Sequence, residues 1–155
     1  MSTLSIGDTA PAINLPRDGG KMVDLAAMTG QKVVVYFYPK DDTPGCTKEA
    51  IGFTEAAADF AAAGAVVWGV SKDSVAKHEK FRTKYELGIS LVSDEDGSVC
   101  EDYGVWVEKN MYGKKYIGIE RATYLIDGKG KILQFWRKVK VSGHVEAVLK
   151  AVRGV

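Results

Sequence analysis

Lys32-Val33-Val34-Val35-Tyr36-Phe37-Tyr38-Pro39-Lys40-Asp41-Asp42-Thr43-Pro44-Gly45-Cys46 passes from an unbroken apolar run straight into a helix start. Residues 33–38 are β-branched or aromatic with no alternation, the pattern of a strand covered on both faces, and they are expected to form a central parallel strand. Beyond it, Thr43 is a candidate N-cap and Pro44 takes the first helical position, where a missing N–H costs nothing. Gly64 is the stop, which predicts one alanine-rich helix in between. Cys46 therefore falls in the first turn of a helix, at the end of a buried strand. Working outward, residues 65–70 read as a strand and 74–87 as a second helix with Val75, Phe81 and Tyr85 inward. Residues 89–92 read as a short strand, and a short helix over 98–103 leads into an aromatic stretch, 106–118, read as irregular. Residues 121–126 and 132–139 form an antiparallel pair around the turn Asp127-Gly128-Lys129-Gly130. A last helix starts at Ser142 and carries Val145, Val148, Leu149 and Val152 on one face. Residues 13–15 and 22–25, around Asp18-Gly19-Gly20, predict an N-terminal β-hairpin.

This order of elements is that of an α/β protein with a thioredoxin-like fold, a mixed central sheet flanked by helices plus the N-terminal hairpin. The 155 residues suit a single domain over 1–155, with 46% apolar and 26% charged residues and no internal repeat. Lys and Arg number 21 against 20 Asp and Glu, so no field steers the chain towards nucleic acid or anionic lipid. The longest apolar stretch, 61–70, is half of the about 20 residues a spanning helix needs. Met1-Ser2-Thr3-Leu4-Ser5-Ile6-Gly7-Asp8 has neither a basic start nor an apolar core, so no signal peptide is expected and the compartment is expected to be the cytoplasm.

Cys46 and Cys100 are 54 positions apart and form no C-x-x-C, and two histidines make no zinc set, so no metal is expected. Unpaired N–H groups and the positive end of the helix dipole favour a thiolate at Cys46, with donors from Gly45 and Cys46 because Pro44 has none. Positions 46, 50, 53, 57 and 60 share one helix face, which turns the sulfur inward. The alternative for Cys46 is a small apolar residue at the edge of the core. Read alone, Thr43 is a helix cap, Glu49 a favourable first-turn carboxylate and Arg121 a solvated strand-end charge. His78 and His144 read as solvated or helix-face residues, and 109–116 as a solvated loop.

Residues 39–50 match the peroxiredoxin pattern Pro-x-x-x-Thr-x-x-Cys, and their extension Pro-Gly-Cys-Thr-x-Glu resembles the bacterioferritin-comigratory, or Q-type, subfamily. The resemblance runs from Gly7-Asp8-x-Ala10-Pro11 through Ser93-Asp94-x-Asp96-Gly97 and Tyr103-Gly104-Val105-Trp106 to Arg121-x-Thr123-Tyr124-Leu125-Ile126-Asp127. It implies a thiol-dependent peroxidase that reduces hydrogen peroxide and organic hydroperoxides through a Cys46 sulfenic acid, recycled by thioredoxin or a similar thiol donor. By the same resemblance Thr43 hydrogen-bonds the peroxide, Arg121 holds thiolate and substrate, Pro39 shields the site and Glu49 positions the arginine. No cofactor is implied, since sulfur carries the two-electron change, and a monomer is expected. The chain departs from the subfamily where a resolving cysteine stands: Ile51 is five residues after Cys46, and Arg82 lies at the second arrangement, near Phe81. Cys100 remains, either a structural thiol or a resolving partner, and a 1-Cys mechanism is the working expectation. A disulfide-exchanging thioredoxin-like oxidoreductase is disfavoured by the missing C-x-x-C. A redox-sensing binding domain that uses 106–116 is the reading from another class.

Overall fold

The computed structural model describes residues 4–155, so the first three residues of the start read above lie outside the described residues. In chain order the elements are β1 (Asn14–Pro16), β2 (Met22–Asp24), a 3-10 turn (Leu25–Ala27), β3 (Lys32–Phe37), α1 (Pro44–Glu55), α2 (Ala57–Ala62) and β4 (Ala65–Ser71). There follow α3 (Val75–Tyr85), β5 (Ser90–Ser93), α4 (Ser98–Asp102), β6 (Trp106–Met111), β7 (Lys114–Ile119), β8 (Ala122–Ile126), β9 (Ile132–Trp136) and α5 (His144–Arg153). The main sheet has the order β5-β4-β3-β8-β9, and β1–β2 and β6–β7 are separate hairpins.

The unbroken run is the middle strand, as its lack of alternation required. It is parallel only to β4, however, with Val35 opposite Trp68, and antiparallel to β8, because the hairpin β8–β9 completes the sheet on that side. Both faces of β3 are covered. Val33, Val35 and Phe37 point into one core with Val99, Cys100, Tyr103 and Tyr124, while Val34, Tyr36 and Tyr38 point into a second core with Cys46, Phe53, Phe60, Phe81 and Val148. Alternate residues of one strand thus feed two cores that the sheet separates.

The helix expected to run unbroken to Gly64 breaks at Ala56 (φ −92°, ψ 0°), giving α1 and α2. The break lets Phe60 be buried beside Phe53, with ring centroids 5.8 Å apart, and packing of this kind overrides alanine's helix propensity. Gly64 does end the helical stretch, at φ +82°. Residues 106–118 are not irregular: they form the hairpin β6–β7, whose turn residues Tyr112 and Gly113 both have positive φ, the requirement of a type I′ turn. The last helix starts two residues later than expected, at His144, and buries Val148 and Val152 while Val145 and Leu149 pack from its edge. Strand β9 stops at Trp136, short of the expected 139. The register Phe37↔Ala122 matters most for function, because it sets Arg121, one residue ahead of β8, beside the end of β3 from which the chain enters α1.

Candidate active site

Cys46 sits in the first turn of α1 with 1% of its surface exposed, turned inward with Ala50 and Phe53 from the same face. Thr43 occupies the N-cap position with extended backbone, yet its hydroxyl does not cap the helix. It donates instead to the Lys40 carbonyl at 2.9 Å, and the first helical bond runs from Thr47 N–H to the Thr43 carbonyl at 2.8 Å. Pro39 stays exposed at the end of β3.

Arg121 joins the parts. Its Nη2 lies 3.4 Å from Cys46 Sγ, and its Nη1 donates to Glu49 Oε1 at 2.6 Å. Glu49 is fully buried, one turn after Cys46, so one helix presents the thiol and the carboxylate to the two prongs of one guanidinium. Burial pushes the Glu49 carboxyl up to about 7, against the pull of Arg121. Burial also works against the Arg121 cation, but Glu49 and Cys46 outweigh it and hold the arginine above its usual range. Gly45 makes the approach possible, since a Cβ there would stand 3.1 Å from Arg121 Nη2. Behind the site, Tyr36 stacks on Phe53 with centroids 4.6 Å apart, and its phenol is raised well above the usual range by burial and then by Glu49. Neither the Tyr36 hydroxyl nor Glu49 Oε2 finds a hydrogen-bond partner among the described residues.

Several neighbours escaped the sequence reading. His144 is buried, not solvated: its Nε2 is 2.8 Å from Thr123 Oγ1, and burial, reinforced by Arg121, lowers it to about 4, so it is neutral at pH 7. Lys109, placed opposite Tyr116 in the β6–β7 hairpin rather than in a loop, is half-buried and lowered by burial and by Arg121. His78 is also buried, against Asp41 and the Val92 carbonyl. Only the alternation of Lys109 with Val107 in a strand pattern offered a local signal for any of these.

Cys100 is not brought to Cys46. It is fully buried on α4 in the opposite core, its amide donating to Asp94 Oδ2 at 2.8 Å, and burial followed by Asp94 raises its thiol far above the ordinary range. Arg82 is paired with Asp18, which ties α3 to the β1–β2 hairpin. Among the described residues no cluster of three or more His, Cys, Asp or Glu could hold a metal ion, and no helix is long and apolar enough to cross a membrane.

A nearly inaccessible cysteine at a helix start, held by an arginine that a buried glutamate orients, on a thioredoxin-like sheet, defines a thiol-based redox enzyme. Residues 6–135 match the model of the AhpC/TSA family. A Coxiella burnetii chain carried under the name peroxiredoxin bcp is 54% identical over 147 residues, covering 95% of this chain and 97% of that one. Peroxiredoxin Bcp of Escherichia coli is 45% identical over 149 residues, 96% of each. Among solved structures, Xylella fastidiosa PrxQ superposes with a TM-score of 0.93 at 40% identity, over 99% of this chain and 98% of that one. Xanthomonas campestris peroxiredoxin Q gives 0.88 at 47% identity, over 92% and 90%. The chain belongs to the AhpC/TSA family, and within it to the peroxiredoxins of the bacterioferritin-comigratory, or Q, type. It is a thiol peroxidase.

Proposed function

We propose that this chain reduces hydrogen peroxide and organic hydroperoxides by a 1-Cys cycle with Cys46 as the peroxidatic thiol. The Cys46 thiolate attacks the terminal oxygen of ROOH and the O–O bond breaks. Sulfur keeps the hydroxyl as a sulfenic acid, and the alkoxide RO⁻ takes up a proton to leave as ROH. An external thiol then attacks the sulfenic sulfur with loss of water, and a second thiol releases the mixed disulfide and restores Cys46. Arg121 steadies the thiolate and the oxygen charge that grows as the O–O bond stretches. Glu49 orients Arg121, the Thr43 hydroxyl bonds the peroxide, and Pro39 screens the reacting atoms.

The observation that carries this reading is the Arg121 fork, 3.4 Å from Cys46 Sγ on one prong and 2.6 Å from Glu49 Oε1 on the other. The Xanthomonas campestris relative is described by its alkyl peroxide reduction activity, which supports organic hydroperoxides as substrates. The burial of Cys100 across the sheet supports thioredoxin or a similar thiol as the reductant. The proposed working unit is a monomer, and two unpaired thiols support the cytoplasm as its compartment. The test is peroxide consumption with a thioredoxin system by the wild type and by Cys46→Ser. The variant is expected to be inactive. Activity above about a tenth of wild type, equivalent to less than about 1.4 kcal/mol of transition-state stabilisation, would overturn the assignment.

A further inference from the structure

His78 and Asp41 take no part in the mechanism above, yet they are buried and bonded on the segment that leads to Thr43. His78, on the inner side of α3, has no exposed surface; its Nδ1 lies 2.6 Å from Asp41 Oδ2 and its Nε2 3.0 Å from the Val92 carbonyl. A carbonyl can only accept, so Nε2 donates to Val92 and Nδ1 is turned to the Asp41 carboxylate. The other Asp41 oxygen accepts the Tyr38 hydroxyl at 2.5 Å. The Asp41 amide donates to Asp73 Oδ2 at 2.8 Å, an oxygen that also accepts from the Ser71 hydroxyl.

These bonds act on a short bridge between β3 and α1. Asp42, the next residue, turns the chain through the left-handed region at φ +59°, which aspartate tolerates better than most residues. Lys84 and Tyr85 of α3 donate to the two Asp42 carboxylate oxygens at 2.8 and 2.5 Å. The Thr43 hydroxyl in turn donates to Lys40 within the same loop. Helix α3 therefore fastens the loop at Asp41 and Asp42, the residues between the Thr43 hydroxyl and the carbonyl it donates to.

We infer that His78, through its bond to Asp41, is a positioning residue of the peroxidase reaction: it fixes the 39–43 loop and with it the Thr43 hydroxyl that aligns the peroxide. The inference rests on the Cys46 and Thr43 roles proposed above. Removing the imidazole leaves Asp41 Oδ2 buried without its partner while Tyr38 still holds Oδ1, and the loop shifts to return the orphaned oxygen to water.

The experiment compares two rates at Cys46 in each variant: oxidation by hydrogen peroxide, which needs the Thr43 hydroxyl in place to bond the peroxide, and alkylation by iodoacetamide, which needs only the thiolate and access to it. Peptide mass mapping assigns the alkylation to Cys46. His78→Ala and Asp41→Ala are expected to oxidise more slowly by about tenfold or more, with alkylation as fast as wild type or faster. Asp41→Asn is expected to stay within about threefold of wild-type oxidation, because its amide can donate to Nδ1 while its oxygen still accepts from Tyr38. Oxidation at the wild-type rate in the alanine variants, an equal fall of both rates, or an Asp41→Asn as slow as Asp41→Ala would each overturn the inference. If His78→Ala does not fold, as judged by circular dichroism, the two Asp41 variants decide. A wild-type chain that fails to consume peroxide would instead sink the assignment of Cys46 itself.

Discussion

Arg121 serves two partners at once, Glu49 and Cys46, and the fork of its guanidinium is what allows it. A lysine carries the same charge as a point at the end of a flexible stem and cannot hold Glu49 and face the sulfur together. Arg121→Lys is therefore expected to lower the peroxide rate constant by about tenfold or more in stopped-flow oxidation, and a wild-type rate would show that charge alone suffices. Glu49 brings a pH dependence to the same place. Its carboxyl is pushed up to about 7, so acidification neutralises it there and weakens its hold on the guanidinium. The oxidation rate is expected to fall as the pH drops through about 7, and Glu49→Gln to remove that inflection from the rate profile. For stability the signs oppose one another. Glu49 binds its proton more tightly in the folded chain, so its contribution is complete below about 4.5 and is lost as the pH rises through about 7. His144, lowered to about 4, contributes fully above about 6.5 and loses that contribution as the pH falls through about 4. Urea titrations at pH 5 and pH 7 are expected to show His144→Gln losing less stability on acidification than the wild type.

At the scale of elements, the first turn of α1 must come close to Arg121, and Gly45 is the position that permits it. In Gly45→Ala the new Cβ, 3.1 Å from Nη2, displaces the guanidinium by a few tenths of an ångström. The oxidation rate is expected to fall, while urea unfolding shows no loss of stability, since alanine is the better helix former by about 1 kcal/mol. A variant with an unchanged rate would mean that the fork tolerates the shift. Elements of this kind were legible where one local pattern decided them. The unalternating run of β3, Pro44 opening α1, Gly64 stopping the helical stretch and the turn at 127–130 all read correctly from neighbours in sequence. The β6–β7 hairpin did not, because its turn puts Tyr112, not asparagine or glycine, into the left-handed region. The break at Ala56 did not either, because it answers to where Phe60 packs. The site divides the same way. Cys46, Thr43 and Glu49 share one stretch, whereas Arg121 joined them through the family pattern, and the Asp41–His78 pair spans 37 positions with no local signal at either end.

Across the whole molecule, the decisive feature is that the sheet keeps the two thiols in different cores. One equivalent of hydrogen peroxide without added thiol is expected to raise the intact mass by about 16 Da, the sulfenic acid on Cys46, and excess peroxide to carry the same sulfur on to sulfinic acid. A loss of about 2 Da would mark an internal disulfide and contradict the separation described here. Cys100→Ser is expected to turn over normally with an external thiol. The same separation governs the denatured ensemble. A bridge between residues 54 positions apart would withdraw loop-closure entropy from the unfolded chain, worth about 4 kcal/mol. With the thiols kept apart, oxidation is expected to change one atom's chemistry without tightening the polymer, and reduced and peroxide-treated samples are expected to unfold without the stability gain of a covalent cross-link.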